Sequence, residues 1–314
     1  MLKGLLLFSG GLDSVLAVKI LEKQKIKITP ICFKSYFFNC DSAEKSAKKL
    51  KLKLKIVDFS KEHFKIIKKP KYGFGKRMNP CIDCHLLMLK TAKRFVKLTG
   101  NKFDFIATGD VVDERPFSQR KKILLKMDKE AGLEGLILRP LSAKLLPESV
   151  LEKKGLVKRE ELFAFHGKSR KLQLRLAKEF KIKDRAAGGW CPTPAGGCIL
   201  TDLEYSKKLK ELFNKISNCN SQDAQVLKKG RVFWENRFLI IVGRNEKENK
   251  ELKKLKAKED LILEPENFSG PAVLIRGFGQ KIEKITIKKA VELLLNYSKK
   301  LPEEIKISLL KKKK

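Results

Sequence analysis

Two groups of residues in this 314-residue chain have types and spacings suited to chemistry. The first is Ser9-Gly10-Gly11-Leu12-Asp13-Ser14, which directly follows the apolar run KGLLLF. Paired glycines let backbone N–H groups come close to phosphate oxygens, and a helix starting there adds the partial positive charge of its N-terminus. Ser9 and Ser14 can donate from their hydroxyls, and Asp13 can orient a magnesium ion or the ribose and phosphates of a nucleotide. The run lacks the Gly-Lys-Ser/Thr element of kinase-type loops and is not a G-x-G-x-x-G fingerprint. The second group is sulfur: Cys81-Ile82-Asp83-Cys84, with Cys191 and Cys198 in the glycine- and proline-rich segment 188–198. A C-x-x-C pair at a helix start can hold a metal or lower the pKa of one thiol. With one distant cysteine it offers three thiolates, one short of a closed tetrahedral zinc site and suited to an iron–sulfur cluster with one open iron. Cys191 as a fourth ligand would make a structural zinc site instead, and a persulfide relay between Cys81 and Cys198 needs no metal. His85 could ligate a metal, although a lone histidine is more often structural. Cys32, Cys40 and Cys219 read as unliganded buried thiols.

These groups need elements to hold them. Residues 3–8, 28–33, 53–58 and 103–108 read as strands, and 14–24, 41–50 and 83–98 as helices, with Pro30 inside the second strand. Strand and helix in alternation predict a parallel α/β sheet covered on both faces. Ligands of such sheets lie beyond the C-terminal strand ends, and each group falls at such an end or in a connecting loop. Residues 139–190 read as mainly helical, with Leu172, Leu176 and Phe180 as an apolar stripe. After a helix at 205–216, the segments RVFWE, RFLIIVG, DLILE and AVLIRG read as strands and 286–299 as a closing helix, a small α+β domain. The expected organisation is a catalytic domain over 1–202, a second domain over 219–300 and a basic tail over 301–314.

Lys and Arg total 71 against 36 acidic residues, a net charge of +35, which favours a polyanionic partner, either nucleic acid or an anionic membrane. A lysine-rich proteome would produce the same bias. No apolar run is long enough to span a bilayer, so no membrane role is expected. The opening MLKGLLLFSGG has too short an apolar part for a signal peptide and reads better as a buried strand. A cytoplasmic protein is expected, with its seven cysteines reduced, metal-bound or catalytic rather than disulfide-bonded.

The six residues Ser9 to Ser14, placed between strand and helix, resemble the SGGxDS motif of the PP-loop ATP pyrophosphatases. That resemblance implies an adenine nucleotide alpha hydrolase-like fold and cleavage of ATP to AMP and pyrophosphate, with AMP carried transiently on a substrate oxygen. It implies that Ser9, Gly10, Gly11, Leu12, Asp13 and Ser14 bind ATP with Mg2+. Asn79-Pro80-Cys81 is similar to a run in tRNA 2-thiouridylases, where a cysteine takes part in sulfur delivery. The spacing of Cys81, Cys84 and a later cysteine looks like that of cluster-dependent tRNA thiolases. By that analogy Cys81, Cys84 and Cys198 are the ligands of a [4Fe-4S] cluster, with Cys191 the alternative third ligand and zinc the alternative metal. Asp13, Cys81 and Cys198 are then the catalytic residues. Ala107-Thr108-Gly109 resembles the thiolase segment that approaches the nucleotide, which adds Gly109 to the ATP site. Asp110 stands where the 2-thiouridylases carry histidine. Arg115 and Arg139 lie in loops similar to those of 4-thiouridine synthetase allies and could meet pyrophosphate or a tRNA phosphate. Lys168, Arg170, Lys171 and Arg175 form either a solvated face or part of a tRNA track.

Residues 223–279, with Val242-Gly243-Arg244-Asn245 followed by Asn249, resemble the RNA-binding domain of NFACT proteins. Lys228, Lys229, Arg231 and Arg244 are its expected RNA contacts, and Phe233 and Trp234 could stack on bases or serve as core. The resemblances together imply a tRNA sulfurtransferase that adenylates a uridine and replaces its carbonyl oxygen with sulfur. It would take that sulfur from sulfide or from a persulfide carrier such as a cysteine desulfurase. An amine-using PP-loop ligase and an RNA-binding protein with a retained ATP site are the alternatives.

Overall fold

The computed structural model describes residues 1–98, 100, 103–183, 191–192 and 197–310. It divides into two units, Met1–Thr201 and Asp202–Lys314. In the first, strand and helix alternate as β1 (Lys3–Leu7), α1 (Leu12–Lys23), β2 (Lys27–Lys34), α2 (Asp41–Lys49), β3 (Lys55–Asp58), α3 (Ser60–Lys68), α4 (Cys81–Leu98), β4 (Phe105–Thr108), α5 (Lys121–Glu130) and β5 (Ile137–Leu138). The five strands form one sheet in the order β3-β2-β1-β4-β5, parallel throughout. Leu5 and Leu6 show why both faces are covered. Leu6 lies in one fully buried cluster with Val15, Leu16 and Leu176, and Leu5 in another with Ile31, Leu89 and Leu124. Adjacent strand residues point to opposite faces, so a run without polar alternation needs helices on each side. Pro30 is tolerated because β3 pairs with β2 only from Ile31 onward.

Three elements of this unit carry weaker sequence signals: α3, α5 and the two-residue β5. Their segments are rich in lysine, and only Phe64 and Ile67, or Leu124 and Met127, mark the inward face. The expectation of a mainly helical stretch over 139–190 is corrected. Its described part holds short turns at Ala143–Leu145 and Arg159–Glu161, α6 (Val150–Lys153) and α7 (Lys171–Glu179). Pro140, Pro147, Gly155 and Gly167 interrupt the chain, and the last two adopt positive φ, which ends a helix. The stripe is also different: Leu176 is buried, but Leu172 is 46% exposed. The segments 184–190 and 193–196 lie outside the described residues.

The second unit contains α8 (Leu203–Lys215), α9 (Ser221–Val226), β6 (Arg231–Glu235), β7 (Phe238–Val242), α10 (Glu246–Leu255), β8 (Leu261–Pro265), β9 (Val273–Arg276), α11 (Lys284–Asn296) and β10 (Ile307–Leu310). Its sheet is antiparallel, ordered β10-β8-β9-β7-β6. Ile240, Val242, Leu263, Val273 and Ile275 pack on Ala290, Leu293 and Leu294 of α11. The fully buried guanidinium of Arg276 is held by Asp260 and Asp223. Part of the stretch read as a basic tail is the edge strand β10, while 311–314 lie outside the described residues.

Candidate active site

The sheet order reverses between β1 and β4, which opens a crevice beyond their C-terminal ends. The phosphate-type loop occupies the β1 side. Gly10 sits at φ +77°, and a Cβ there would lie 2.4 Å from the carbonyl oxygen of Ser42, so this position demands glycine twice over. Ser46 Oγ donates to Gly10 O at 2.7 Å, tying α2 to the loop. Ser14 Oγ donates to Gly11 O at 2.8 Å, and Gly11 N–H donates to Ser9 Oγ at 3.3 Å. The Leu12 side chain is core, and its N–H donates to Pro192 O at 3.2 Å. On the β4 side, a Cβ at Gly109 would lie 2.7 Å from Ser14 N, so glycine lets the Thr108–Asp110 turn close against the loop.

A cavity of about 550 Å³ lies over this crevice, bordered by Ser9, Asp13, Ser14, Gly109, Cys81, Cys84 and Cys198 among others. Asp13 Oδ1 is buried and, among the described residues, accepts no hydrogen bond. Burial first, and then the charge of Glu114, raise the Asp13 carboxyl to a pKa of about 6, against the smaller opposing pull of Arg170 and Arg115. Glu114 also borders the cavity and is paired with Arg170 at 2.7 Å. A half-buried carboxylate with an orphaned oxygen beside a second carboxylate fits a divalent cation.

The cysteines enter from α4. Cys81 is its first residue and accepts a hydrogen bond from Asn79 Nδ2 at 3.1 Å. Cys84 is buried, and burial pushes its thiol pKa well up, with Cys198 and then Cys81 adding to the effect. The Asp83 carboxylate between them anchors the preceding loop by accepting from the N–H groups of Lys71 and Tyr72, both at 3.0 Å. Cys198 comes to the same cavity from the far end of the unit, on a segment tied by Ile199 N–H to Phe37 O at 3.1 Å. Cys191 is fully buried in the core cluster with Leu6 and Val15 and does not border the cavity. Among the described residues, no three His, Cys, Asp or Glu side chains are arranged as a metal site.

Two expectations change here. Cys32 and Cys40 are joined in a disulfide rather than being separate buried thiols; β2 and the start of α2 bring their Cα atoms to 6.2 Å, which a linear reading of spacing does not show. Arg139 is 3% exposed and donates twice to Asp128, both at 2.7 Å, and once to Asp110 at 3.4 Å, so it is a buried structural cation and no phosphate contact. Although burial alone would raise the Asp110 pKa, the charges of Arg139 and His85 and the bonds from Thr108 and Gln119 hold it below the usual carboxylate range. Arg115 remains exposed at the cavity edge. Sequence reasoning did not single out Glu114, Asn39 or His63, all of which border the cavity. His63 is 1% exposed, stacked on Phe59 at 5.2 Å and bonded to Ser35 Oγ at 2.7 Å. Burial lowers its pKa to about 4, so it is neutral.

With this geometry in place, the tRNA methyl transferase HUP domain matches residues 3–160, half of the chain. The chain belongs to the tRNA methyl transferase HUP-domain family. Residues 230–314 beyond this HUP domain match the NFACT protein RNA binding domain. The chain is 32% identical over 128 residues to the tRNA-specific 2-thiouridylase MnmA of Karelsulcia muelleri (strain GWSS), spanning 38% of this chain and 33% of that protein. It is 30% identical over 131 residues to the MnmA of Endomicrobium trichonymphae, spanning 34% and 36%. The chain thus matches about a third of the length of these curated relatives. Among solved structures, the U34-tRNA thiolase NcsA from Methanococcus maripaludis with its [4Fe-4S] cluster aligns at 16% identity over 72% of this chain and 69% of its own, with a TM-score of 0.33. A 4-thiouridine synthetase–RNA complex with bound ATP aligns at 20% identity over 56% and 50%, with a TM-score of 0.36. Both superpositions are too loose to bear on individual residues.

In the second unit, two of the four RNA contacts expected from sequence, Lys229 and Arg244, are paired with acidic side chains. Glu248 accepts from Arg244 Nε at 2.9 Å and from the backbone N–H groups of Arg244 and Gly230. Asn249 Oδ1 accepts from Ala272 N–H at 3.1 Å, and its side chain fills the space a Cβ on Gly243 would need. The Gly-Arg-Asn motif is therefore a structural hub. Lys229 pairs with Glu251 at 2.7 Å, and Arg231 lies over the ring of Tyr297 at 4.5 Å. Among the described residues no helix is long and apolar enough to cross a membrane.

Proposed function

We propose that this protein activates a uridine in tRNA with ATP and replaces its carbonyl oxygen with sulfur. The observation that carries the reading is that one cavity joins the Ser9–Ser14 loop to three free cysteines, Cys81, Cys84 and Cys198, brought from two distant parts of the chain. The similarity to 2-thiouridylases, confined to a third of their length, supports it.

ATP lies with its phosphates on the loop and at the N-terminus of α1, where the helix dipole and the serine hydroxyls favour anionic oxygen. Asp13 and Glu114 hold the accompanying Mg2+, and Arg115 at the rim faces the departing pyrophosphate. The uridine oxygen attacks the α-phosphorus, the bond to pyrophosphate breaks, and the base is left as an adenylated imidate. Sulfide sulfur then adds to that carbon, and AMP leaves with the former carbonyl oxygen. The site's own contribution is to position both reactants and to spread the developing charge. Cys81, Cys84 and Cys198 are the right donors for a three-thiolate [4Fe-4S] cluster, which would supply an open iron to hold sulfur. The second unit holds the tRNA.

The test is thiolation of tRNA by the anaerobically purified protein, read by mass spectrometry of nucleosides alongside iron and acid-labile sulfide content. Sulfur in uridine, lost in Cys81→Ala and Cys198→Ala with ATP binding intact, is expected. An amine adduct in place of sulfur, or thiolation untouched by both substitutions, refutes it. Thiolation by an iron-free protein keeps the chemistry but transfers sulfur to a Cys81/Cys198 persulfide relay.

A further inference from the structure

Among the described residues, strand β6 is an edge strand hydrogen-bonded only to β7. An edge normally carries charges or bulges that discourage pairing with another chain. Here it carries a cation against an aromatic ring on each face. On the α11 face, the Arg231 guanidinium lies 4.5 Å from the centroid of Tyr297, whose ring is 41% exposed, and Phe233 tilts against the same ring at 6.1 Å. On the opposite face, Trp234 stacks on Phe278 at 6.0 Å with the planes 13° apart, and Lys215 Nζ lies 5.5 Å from the indole. Trp234 Nε1 is buried and, among the described residues, donates to no acceptor. Phe278 adopts φ +52° in a glycine-flanked turn, an unusual conformation for a bulky residue and one that carries its ring to the indole.

We propose that the β6 edge binds unpaired nucleotides of RNA. Bases stack on Tyr297 on one face and on the Trp234–Phe278 pair on the other, while Arg231 and Lys215 meet the phosphates. This rests on tRNA being the partner and narrows the contact to a single-stranded part of it. A duplex hides its base faces and offers mainly phosphates and 2′-hydroxyls, which suit lysines and arginines alone. Aromatic rings interleaved with cations match a strand whose bases are free to stack, whatever their sequence. Of the four cations expected from sequence, Arg231 lies on this edge, while Lys229 and Arg244 pair with Glu251 and Glu248.

The test uses the full chain carrying Trp190→Phe, which leaves Trp234 as the one tryptophan. It is titrated with an unstructured oligoribonucleotide of about 10 nucleotides and with a duplex of equal length. Trp234 emission and the anisotropy of labelled RNA are followed together. Quenching by the single strand is expected, with a weaker response to the duplex. Tyr297→Ala should weaken single-strand binding about 5-fold or more, while Tyr297→Phe, which keeps the ring, restores it. Equal affinity for both RNAs, no quenching, or Tyr297→Ala binding like the parent at unchanged melting temperature overturns the proposal. Rings that serve only as packing would lower the melting temperature in Tyr297→Ala without selective loss of single-strand affinity, and that result also overturns it. Asp13→Asn should keep the quenching. Binding without thiolation sinks the proposed chemistry alone, and thiolation without β6-dependent binding sinks this proposal alone.

Discussion

Replacing Asp13 by Asn should stabilise the nucleotide-free protein while removing its response to Mg·ATP. Asp13 has its carboxyl pKa raised from 3.8 to about 6 by burial and by Glu114. Below about pH 4 both folded and unfolded chains are protonated there, and the group has no effect. Between about pH 4 and pH 6 the folded state holds a proton that the unfolded chain releases, so stability falls as pH rises. Above pH 6 the full cost is present, about two pKa units or roughly 3 kcal/mol at most. Asparagine cannot ionise and escapes that cost. For a unit of this size the gain converts to a rise in Tm of about 6–12 °C. The assay is thermal unfolding of both proteins across that pH range, with and without Mg·ATP. The difference in Tm should be near zero in acid, open between pH 4 and 6, and stay constant above. Mg·ATP should raise the Tm of the parent and leave the variant unchanged. A difference that is flat with pH, or a variant less stable at neutral pH, would refute the account of Asp13 as a destabilised cation ligand.

His63 works in the opposite sense: its pKa is lowered to about 4, so its contribution is lost as pH falls from 6.5 through 4, costing roughly 3 kcal/mol at most. Its Cε1–H resonance should therefore not titrate between about pH 8 and pH 5. Arg139→Met leaves Asp128 and Asp110 buried without their cation and should cost about 3–5 kcal/mol in urea unfolding, with ATP binding per folded molecule preserved. Reduction of the Cys32–Cys40 disulfide opens a loop with a sequence separation of 8 and should cost about 2–2.5 kcal/mol. A reductant that lowers the Tm of the parent and not of Cys32→Ser would show this, whereas equal Tm values would count against the bridge.

Local pattern was enough for much of the catalytic unit. The run KGLLLF has no polar alternation, so it had to be a strand buried on both faces, and SGGLDS after it had to be a tight turn into a helix. Gly10 is fixed by its own positive φ, and the helix at Cys81–Leu98 by its inward leucines. The mostly lysine-coated α3, α5 and α10 carried too few apolar positions to stand out, and the turns between 139 and 170 looked helical because proline and glycine outweighed periodicity only in the folded chain. Side-chain partners were beyond a linear reading altogether. Arg139 and Arg115 are the same residue type in similar loops, yet packing buries one against Asp128 and leaves the other at the cavity rim. Arg244 sits in a motif read as an RNA contact, and its pairing with a glutamate four residues along is invisible in that motif. The sequence alone therefore determined four strands of the sheet, the loop and the chemical types at the site, because these depend on short-range sterics and hydrophobic periodicity. The tertiary structure alone decided that Cys198 and not Cys191 borders the cavity with Cys81 and Cys84, and that Cys32 meets Cys40, because each depends on distances across chain folding that spacing does not encode.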